Sequence, residues 1–283
     1  MQMPIKTKPF NHQYEGFTAA LETFNSGKSR GYGLLMEMGC GKSLTSIGIA
    51  GALHLAGKVN KILVVAPLSI VGVWQEEFTK FADFEYSLVV LSGTGTKKAD
   101  VLRQMQEPPL QIAVVNYESA WRLEKELLAW KPDLIIADEG HKLKTHSTNA
   151  SKSMHKLGAK AKYRLLLTGT VITNKAIDVF SQYKFLNPTI FGSSFYSFRN
   201  YYFDMQGYGQ HTPVLKKSKE AELSEKLHSV AYRATKEECL DLPDTTDIIR
   251  YVDLEKPAAK VYQDLVKDSF AQLGNEEVTA QIF

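Results

Sequence analysis

Gly33-Leu34-Leu35-Met36-Glu37-Met38-Gly39-Cys40-Gly41-Lys42-Ser43 reads as an apolar strand, a glycine turn and the start of a helix. Glycines at such a junction let backbone N–H groups curl round a phosphate, and the N-terminus of the helix adds positive potential. In such a loop Lys42 would neutralise the β- and γ-phosphates, and Ser43 would supply the hydroxyl that phosphoryl-transfer loops place on Mg²⁺. The full Gly-x-x-x-x-Gly-Lys-Ser/Thr pattern asks for glycine where Met36 stands. Alone, the stretch therefore admits a second reading, a glycine turn leading into a solvated lysine.

A second stretch narrows the choice. Leu134-Ile135-Ile136-Ala137-Asp138-Glu139-Gly140-His141 is an apolar strand ending in two adjacent carboxylates. At the edge of a sheet, Asp138 can hold Mg²⁺ while Glu139 polarises an attacking water. A solvated turn would account for an isolated Asp-Glu pair. Together with a Lys-Ser loop, each half following a strand, the pair supplies both parts of a nucleotide hydrolysis site, and ATP and Mg²⁺ are the expected cofactors.

Around these stretches, short β-branched runs alternate with helical patterns, the rhythm of an α/β protein whose central, mostly parallel sheet is flanked by helices. Strands are expected at Gly33–Met36, Ile62–Ala66, Ser87–Leu91, Ile112–Val115, Leu134–Ala137 and Tyr163–Leu167. Helices are expected at Tyr14–Asn25, Ser43–Ala56, Ile70–Phe81, Lys97–Gln106 and Thr148–Leu157. Ligands of such sheets collect at the C-terminal strand ends. After Leu186 the character changes. Phe191, Phe195, Tyr196, Phe198, Tyr201, Tyr202 and Phe203 crowd together ahead of charged, helix-compatible sequence. The expected organisation is a core lobe over 1–186, an inserted helical subdomain over 187–230, a return to the core over 231–264, and a linker or tail over 265–283. The aromatic cluster suits the core of the insertion better than a platform for stacked bases.

A content of 44% hydrophobic and 23% charged residues fits a folded globular chain of 283 residues. A formal charge of +3 is too small to argue by itself for a nucleic-acid partner. The most basic stretch is Lys142, Lys144, Lys152, Lys156, Lys160, Lys162 and Arg164, with no acidic residue between Gly140 and Arg164; it reads equally as a solvated helix face or a phosphate-binding surface. Two cysteines cannot make a disulfide framework. Cys40 inside the loop is either a thiol of lowered pKa or a small tolerated side chain. With no apolar run of signal-peptide or membrane-span length, the expected location is cytoplasmic, or nuclear in a nucleated cell, with no membrane partner.

The sequence resembles a known family. Asp138-Glu139-Gly140-His141 and Leu167-Thr168-Gly169-Thr170 resemble motifs II and III of superfamily-two helicases. Pro67-Leu68-Ser69, Trp74 to Phe78, Asn116-Tyr117-Glu118, Phe185-Leu186-Asn187-Pro188 and Tyr232-Arg233 to Leu242-Pro243 are similar to the Swi/Snf-type DNA translocase ATPases. The resemblance implies the N-terminal RecA-like lobe of such a motor and a nucleotide-binding set of Gln13, Gly39, Cys40, Gly41, Lys42, Ser43 and Leu44. Gln13 would read the adenine, and His141 would couple the hydrolysis site to Thr168, Gly169 and Thr170. From the residues alone, His141 can equally be packed at a strand end, and Thr168 and Thr170 can be turn residues. Backbone contacts to double-stranded DNA are implied near Pro67, Ser69, Asn116 and Tyr117, with Lys142 and Lys144 as further candidates. A second RecA-like lobe beyond Phe283, carrying catalytic arginines, is the implied partner. Two positions depart from the family pattern: Val171 replaces the usual proline, and Met36 an acidic residue. The alternatives are an RNA helicase or restriction-type motor subunit, and a nucleotide-gated module that binds without hydrolysis.

Overall fold

The computed structural model describes residues 2–279 except 106–108, 170–174, 208, 210–211, 240–249, 252, 269 and 274–275, with backbone alone from 268. It divides into two compact units, Met1–Leu242 and Pro243–Phe283. The first is built on a seven-stranded sheet. Its strands are β1 (Gly31–Met36), β2 (Lys61–Ala66), β3 (Tyr86–Val90), β4 (Leu110–Asn116), β5 (Leu134–Asp138) and β6 (Tyr163–Leu167), and Ala231–Ala234 closes one edge. That closing strand is the ninth in chain order, β9, after a hairpin of β7 (Phe203–Gln206) and β8 (Thr212–Leu215). The order across the sheet is β3-β4-β2-β5-β6-β1-β9, and every pairing is parallel.

Helices cover both faces, which explains why β1, β2, β4 and β5 are buried almost throughout instead of alternating. Alternate residues still part by face. Leu34, Met36, Ile62, Val64, Ile112 and Ile136 pack with Phe17, Phe24, Ile47, Trp74 and Phe78 from α1 (Asn11–Asn25), α2 (Lys42–Leu55) and α3 (Val73–Phe81). Leu63, Val65, Val115, Ile135 and Leu166 pack on the other side. Their partners come from α4 (Gly95–Gln104), α5 (Tyr117–Arg122), α6 (Glu124–Trp130), α7 (Asn149–Lys160) and α8 (Val179–Leu186).

The helix expected from Ile70 starts instead at Val73, after a 3₁₀ turn at Leu68–Ile70. Thr94 and Thr148 cap α4 and α7 through their hydroxyls, so α4 begins at Gly95, ahead of the expected Lys97, and α7 at Asn149, just after the expected Thr148. Among the described residues between Leu186 and β9 are the α-helices α9 (Pro188–Phe191), α10 (Phe195–Tyr202) and α11 (Glu220–His228). The β7–β8 hairpin among them is an element the helical expectation lacked. Phe191, Phe198, Tyr202 and Phe203 join the same apolar cluster as the sheet face. After β9 comes α12 (Lys236–Cys239). In the second unit, α13 (Lys256–Asp268) is followed by an antiparallel pair, β10 (Phe270–Leu273) and β11 (Glu276–Thr279), within the stretch expected as a linker or tail. Among the described residues no helix is long and apolar enough to cross a membrane.

Candidate active site

The sheet order brings distant segments of sequence together. β1 lies beside β6 and β6 beside β5, so the ends of β1 and β5 are two strand spacings apart, about 10 Å. The loop after β1 and the carboxylates at the end of β5 therefore face one another across Thr168 and Gly169, which follow β6. Gly39 (φ 90°) and Gly41 (φ 84°) hold left-handed backbone that turns the loop into the N-terminus of α2. A Cβ on Gly41 would lie 2.2 Å from the Gln13 amide nitrogen. Lys42 Nζ donates to the carbonyls of Met36 (2.9 Å) and Glu37 (3.3 Å), which station the ammonium at the strand–loop junction.

Gly39, Lys42, Ser43, Asp138 and Glu139 line a single cavity of about 210 Å³, together with Ile70, Trp74 and Glu77. Asp138 is 7% exposed; its Oδ2 accepts from Trp74 Nε1 (3.0 Å) and its Oδ1 from the Glu139 N–H (2.9 Å). Burial pushes its carboxyl up to about 6, against the lowering effect of those two donors. Glu139 sits at φ 48° and ψ 54°, a conformation costing a residue with a side chain roughly 1–2 kcal/mol. Its Oε2 lies 3.1 Å from His141 Nδ1. Burial raises the Glu77 carboxyl pKa, against the lowering effects of Lys80 and the Ser43 hydroxyl.

Trp74 and Glu77 are members of this site that residue patterns alone did not single out. Tyr117, expected to face nucleic acid, donates its hydroxyl to the Asp138 carbonyl (2.7 Å). Burial, then Asp138 and Glu139, push that hydroxyl well up. Asn116 caps α5 by accepting from Ser119 N (2.7 Å). Pro67 precedes the 3₁₀ turn, and Ser69, Lys142 and Lys144 are exposed at the same strand ends. Gln13 lies behind the loop, donating to the Cys40 carbonyl (3.3 Å) and accepting from Phe10 N (3.0 Å). His12 Nε2 is 2.9 Å from the same Cys40 oxygen. A cavity of about 850 Å³ opens alongside, lined by Phe10, His12, Tyr232 and Arg233. The Leu44 side chain is buried in the core. Burial, then Glu37, raises the Cys40 thiol pKa, so of its two readings the small buried side chain is the one found. Thr168 is buried, and Gly169 abuts the backbone of Met36 to Met38; Thr170 and Val171 lie outside the described residues.

The donors suit Mg²⁺ with a nucleotide. Mg²⁺ uses one or two carboxylates, phosphate oxygens and water in preference to an all-protein cage. No group of three or more His, Cys, Asp or Glu able to hold a metal occurs among the described residues, while one buried carboxylate and one hydroxyl face the phosphate loop.

Asp138 also yields a stability test. Its carboxyl is raised in the folded chain, so its contribution is fully present below about pH 4 and lost as pH rises through about 6. Relative to wild type, Asp138→Asn should gain about 2 kcal/mol between pH 4 and pH 7. Urea melts of both proteins across that range measure the difference, and a pH-independent gap would contradict the raised value.

The fold and this cavity together define an α/β nucleotide-binding lobe of the P-loop type. A model of the SNF2-related domain matches residues 12–283, and the chain belongs to that family. It is similar to the DNA repair and recombination protein RAD54-like of Drosophila ananassae, with 31% identity over 198 residues, covering 65% of this chain and 24% of that protein. With the ATP-dependent DNA helicase DDM1 of Arabidopsis thaliana it shares 26% identity over 284 residues, covering 96% of this chain and 36% of that one. Among solved structures, the Sulfolobus solfataricus SWI2/SNF2 ATPase core in complex with dsDNA superimposes with a TM-score of 0.70 and 28% identity, covering 95% of this chain and 55% of that one. The matched part of the chain thus spans 24% and 36% of these two curated relatives. The RecA-like α/β fold and the Swi/Snf resemblance expected from sequence are what these matches give.

Proposed function

We propose that this chain is the ATP-binding and hydrolysing lobe of a motor that translocates on double-stranded DNA, completed by a second RecA-like lobe. The observation that carries the reading is the meeting of Lys42, Ser43, Asp138 and Glu139 round one cavity. When bound, Mg²⁺–ATP supplies the reactive phosphoanhydride and the charge neutralisation of a divalent cation. The N–H groups from Gly39 to Ser43 and the Lys42 ammonium bind the phosphates, and the Ser43 hydroxyl and Asp138 carboxylate hold the metal. Trp74 orients Asp138. Glu139 takes the proton of the attacking water on its carboxylate, which His141 steadies through Oε2. Gln13 serves the adenine end, and Thr168, Gly169 and Thr170 relay phosphate state. Pro67, Ser69, Asn116, Tyr117, Lys142 and Lys144 serve the DNA backbone, where contact with phosphate suits a motor indifferent to sequence. Support for DNA comes from the likeness to a SWI2/SNF2 core in complex with dsDNA, and for a second lobe from its coverage of only 55% of that core.

The chain alone should bind ATP but turn it over slowly and with little DNA stimulation, because an arginine supplied across a domain interface is worth about 10³–10⁵ in rate. In a protein extended to include the second lobe, ATPase rates should rise most with double-stranded DNA, less with single strands or RNA. Robust DNA-stimulated turnover by the chain alone, abolished by Lys42→Ala, would make the second lobe dispensable. Preference for RNA would replace the motor's track.

A further inference from the structure

The strand ends opposite the nucleotide carry two neighbouring cavities that the hydrolysis site does not use. One, of about 560 Å³, opens over Leu102 and Met105 at the end of α4 and Trp130 at the end of α6. The other, of about 520 Å³, is floored by Leu128, Pro132 and Leu157. Trp130 lines the first and the adjoining Lys131 the second. Lys61, Arg103 and Lys125 ring one cavity, and Lys131, Lys160 and Lys162 the other. Against these six cations the two linings hold two carboxylates, Glu126 and Asp133. Asp133 is already engaged by the N–H groups of Asn60 and Lys61 and by Lys162. Arg103 also pairs with Asp100 at 2.8 Å, and the two linings still carry more cations than carboxylates. Lys131 is held at φ 56°, one of two non-glycine residues with positive φ among those described; the other is Glu139.

We infer that this edge docks an acidic segment of another protein, with apolar side chains that enter the two cavities. Duplex DNA would satisfy the cations through its phosphates, but its bases are stacked inside and have nothing to place in apolar hollows. An acidic, apolar-anchored peptide meets both features, since buried anchors supply affinity and the surrounding charges supply steering and register. Because nucleotides bind parallel sheets at the C-terminal strand ends, a segment seated at the N-terminal ends leaves the phosphate loop open. The inference does not depend on the track or on hydrolysis.

Panning a phage-displayed library of random peptides tests it. A length of about 12 residues reaches roughly 18 Å as a helix. The full chain is the bait, and the Lys131→Glu/Lys160→Glu variant the counter-bait. Recovered peptides should combine Asp or Glu with Leu, Phe or Met, weaken with added salt, and lose about tenfold or more in affinity on the variant. A second variant, Arg103→Glu/Lys125→Glu, gives the same readout should the first fail to fold. No enrichment, or peptides that bind both variants as tightly as wild type, would overturn the inference. So would a duplex DNA oligonucleotide that binds this edge in place of the peptides and is lost from both variants.

Discussion

Glu139→Gln should leave nucleotide affinity within about threefold of wild type while lowering ATP turnover by about 10²–10⁴ in the protein carrying both lobes. The substitution keeps the side chain's size and its hydrogen-bonding reach toward His141 Nδ1, so the strained backbone at Glu139 and the cavity wall persist. What disappears is a carboxylate able to take a proton. Asp138, the proposed metal ligand, keeps its hydrogen bond from Trp74 Nε1. Binding of a fluorescent ATP analogue and steady-state phosphate release separate the two effects. Loss of binding along with turnover would show that Glu139 holds the nucleotide and would dissolve the division of roles between the neighbouring carboxylates.

The second large effect is structural. Gly31 begins β1, and a Cβ there would stand 1.9 Å from the Leu186 carbonyl oxygen and 2.7 Å from its carbon. Both are backbone atoms at the end of α8, so no side chain can swing aside; strand and helix must part. Gly31→Ala should cost about 3 kcal/mol or more, lowering the melting temperature by roughly 6–12 °C or preventing accumulation of folded chain. Gly72, whose Cβ would meet nothing within 4 Å, supplies the control, and Gly72→Ala should melt with the wild type. Equal melting of the two variants would refute the close approach of β1 to α8.

The contrast between these residues shows what was legible in the sequence. Six strands are visible as runs such as Ile62–Ala66 and Leu134–Ala137, since burial on both faces leaves an unbroken apolar signature. Lys42, Ser43, Asp138 and Glu139 are visible because their chemistry recurs at strand ends. The indole of Trp74 on Asp138 and the hydroxyl of Tyr117 on its carbonyl are contacts between elements, which no local pattern encodes. α5 and α6 escaped notice for a different reason. Leu123 ends one and starts the other, which interrupts the helical period over Tyr117–Trp130. The β7–β8 hairpin is hidden because its strands, Phe203–Gln206 and Thr212–Leu215, are only four residues each and largely unburied, too short for an alternating pattern to stand out. Positive φ at Glu139 and Lys131 belongs to residue types that give no warning of it.

The strand order also bears on the ribosome. β2, β3, β4 and β5 pair among themselves, so that half of the sheet can assemble as it emerges. β1 leaves the ribosome before any of them, yet its two neighbours are β6 and β9, the latter beginning at Ala231. Pairings of such long sequence separation form late, after loop-closure entropy has been overcome. The segment that leads into Lys42 and Ser43 is thus made first and fixed among the last, so the proposed phosphate loop takes its place only after β6 and β9 have been translated.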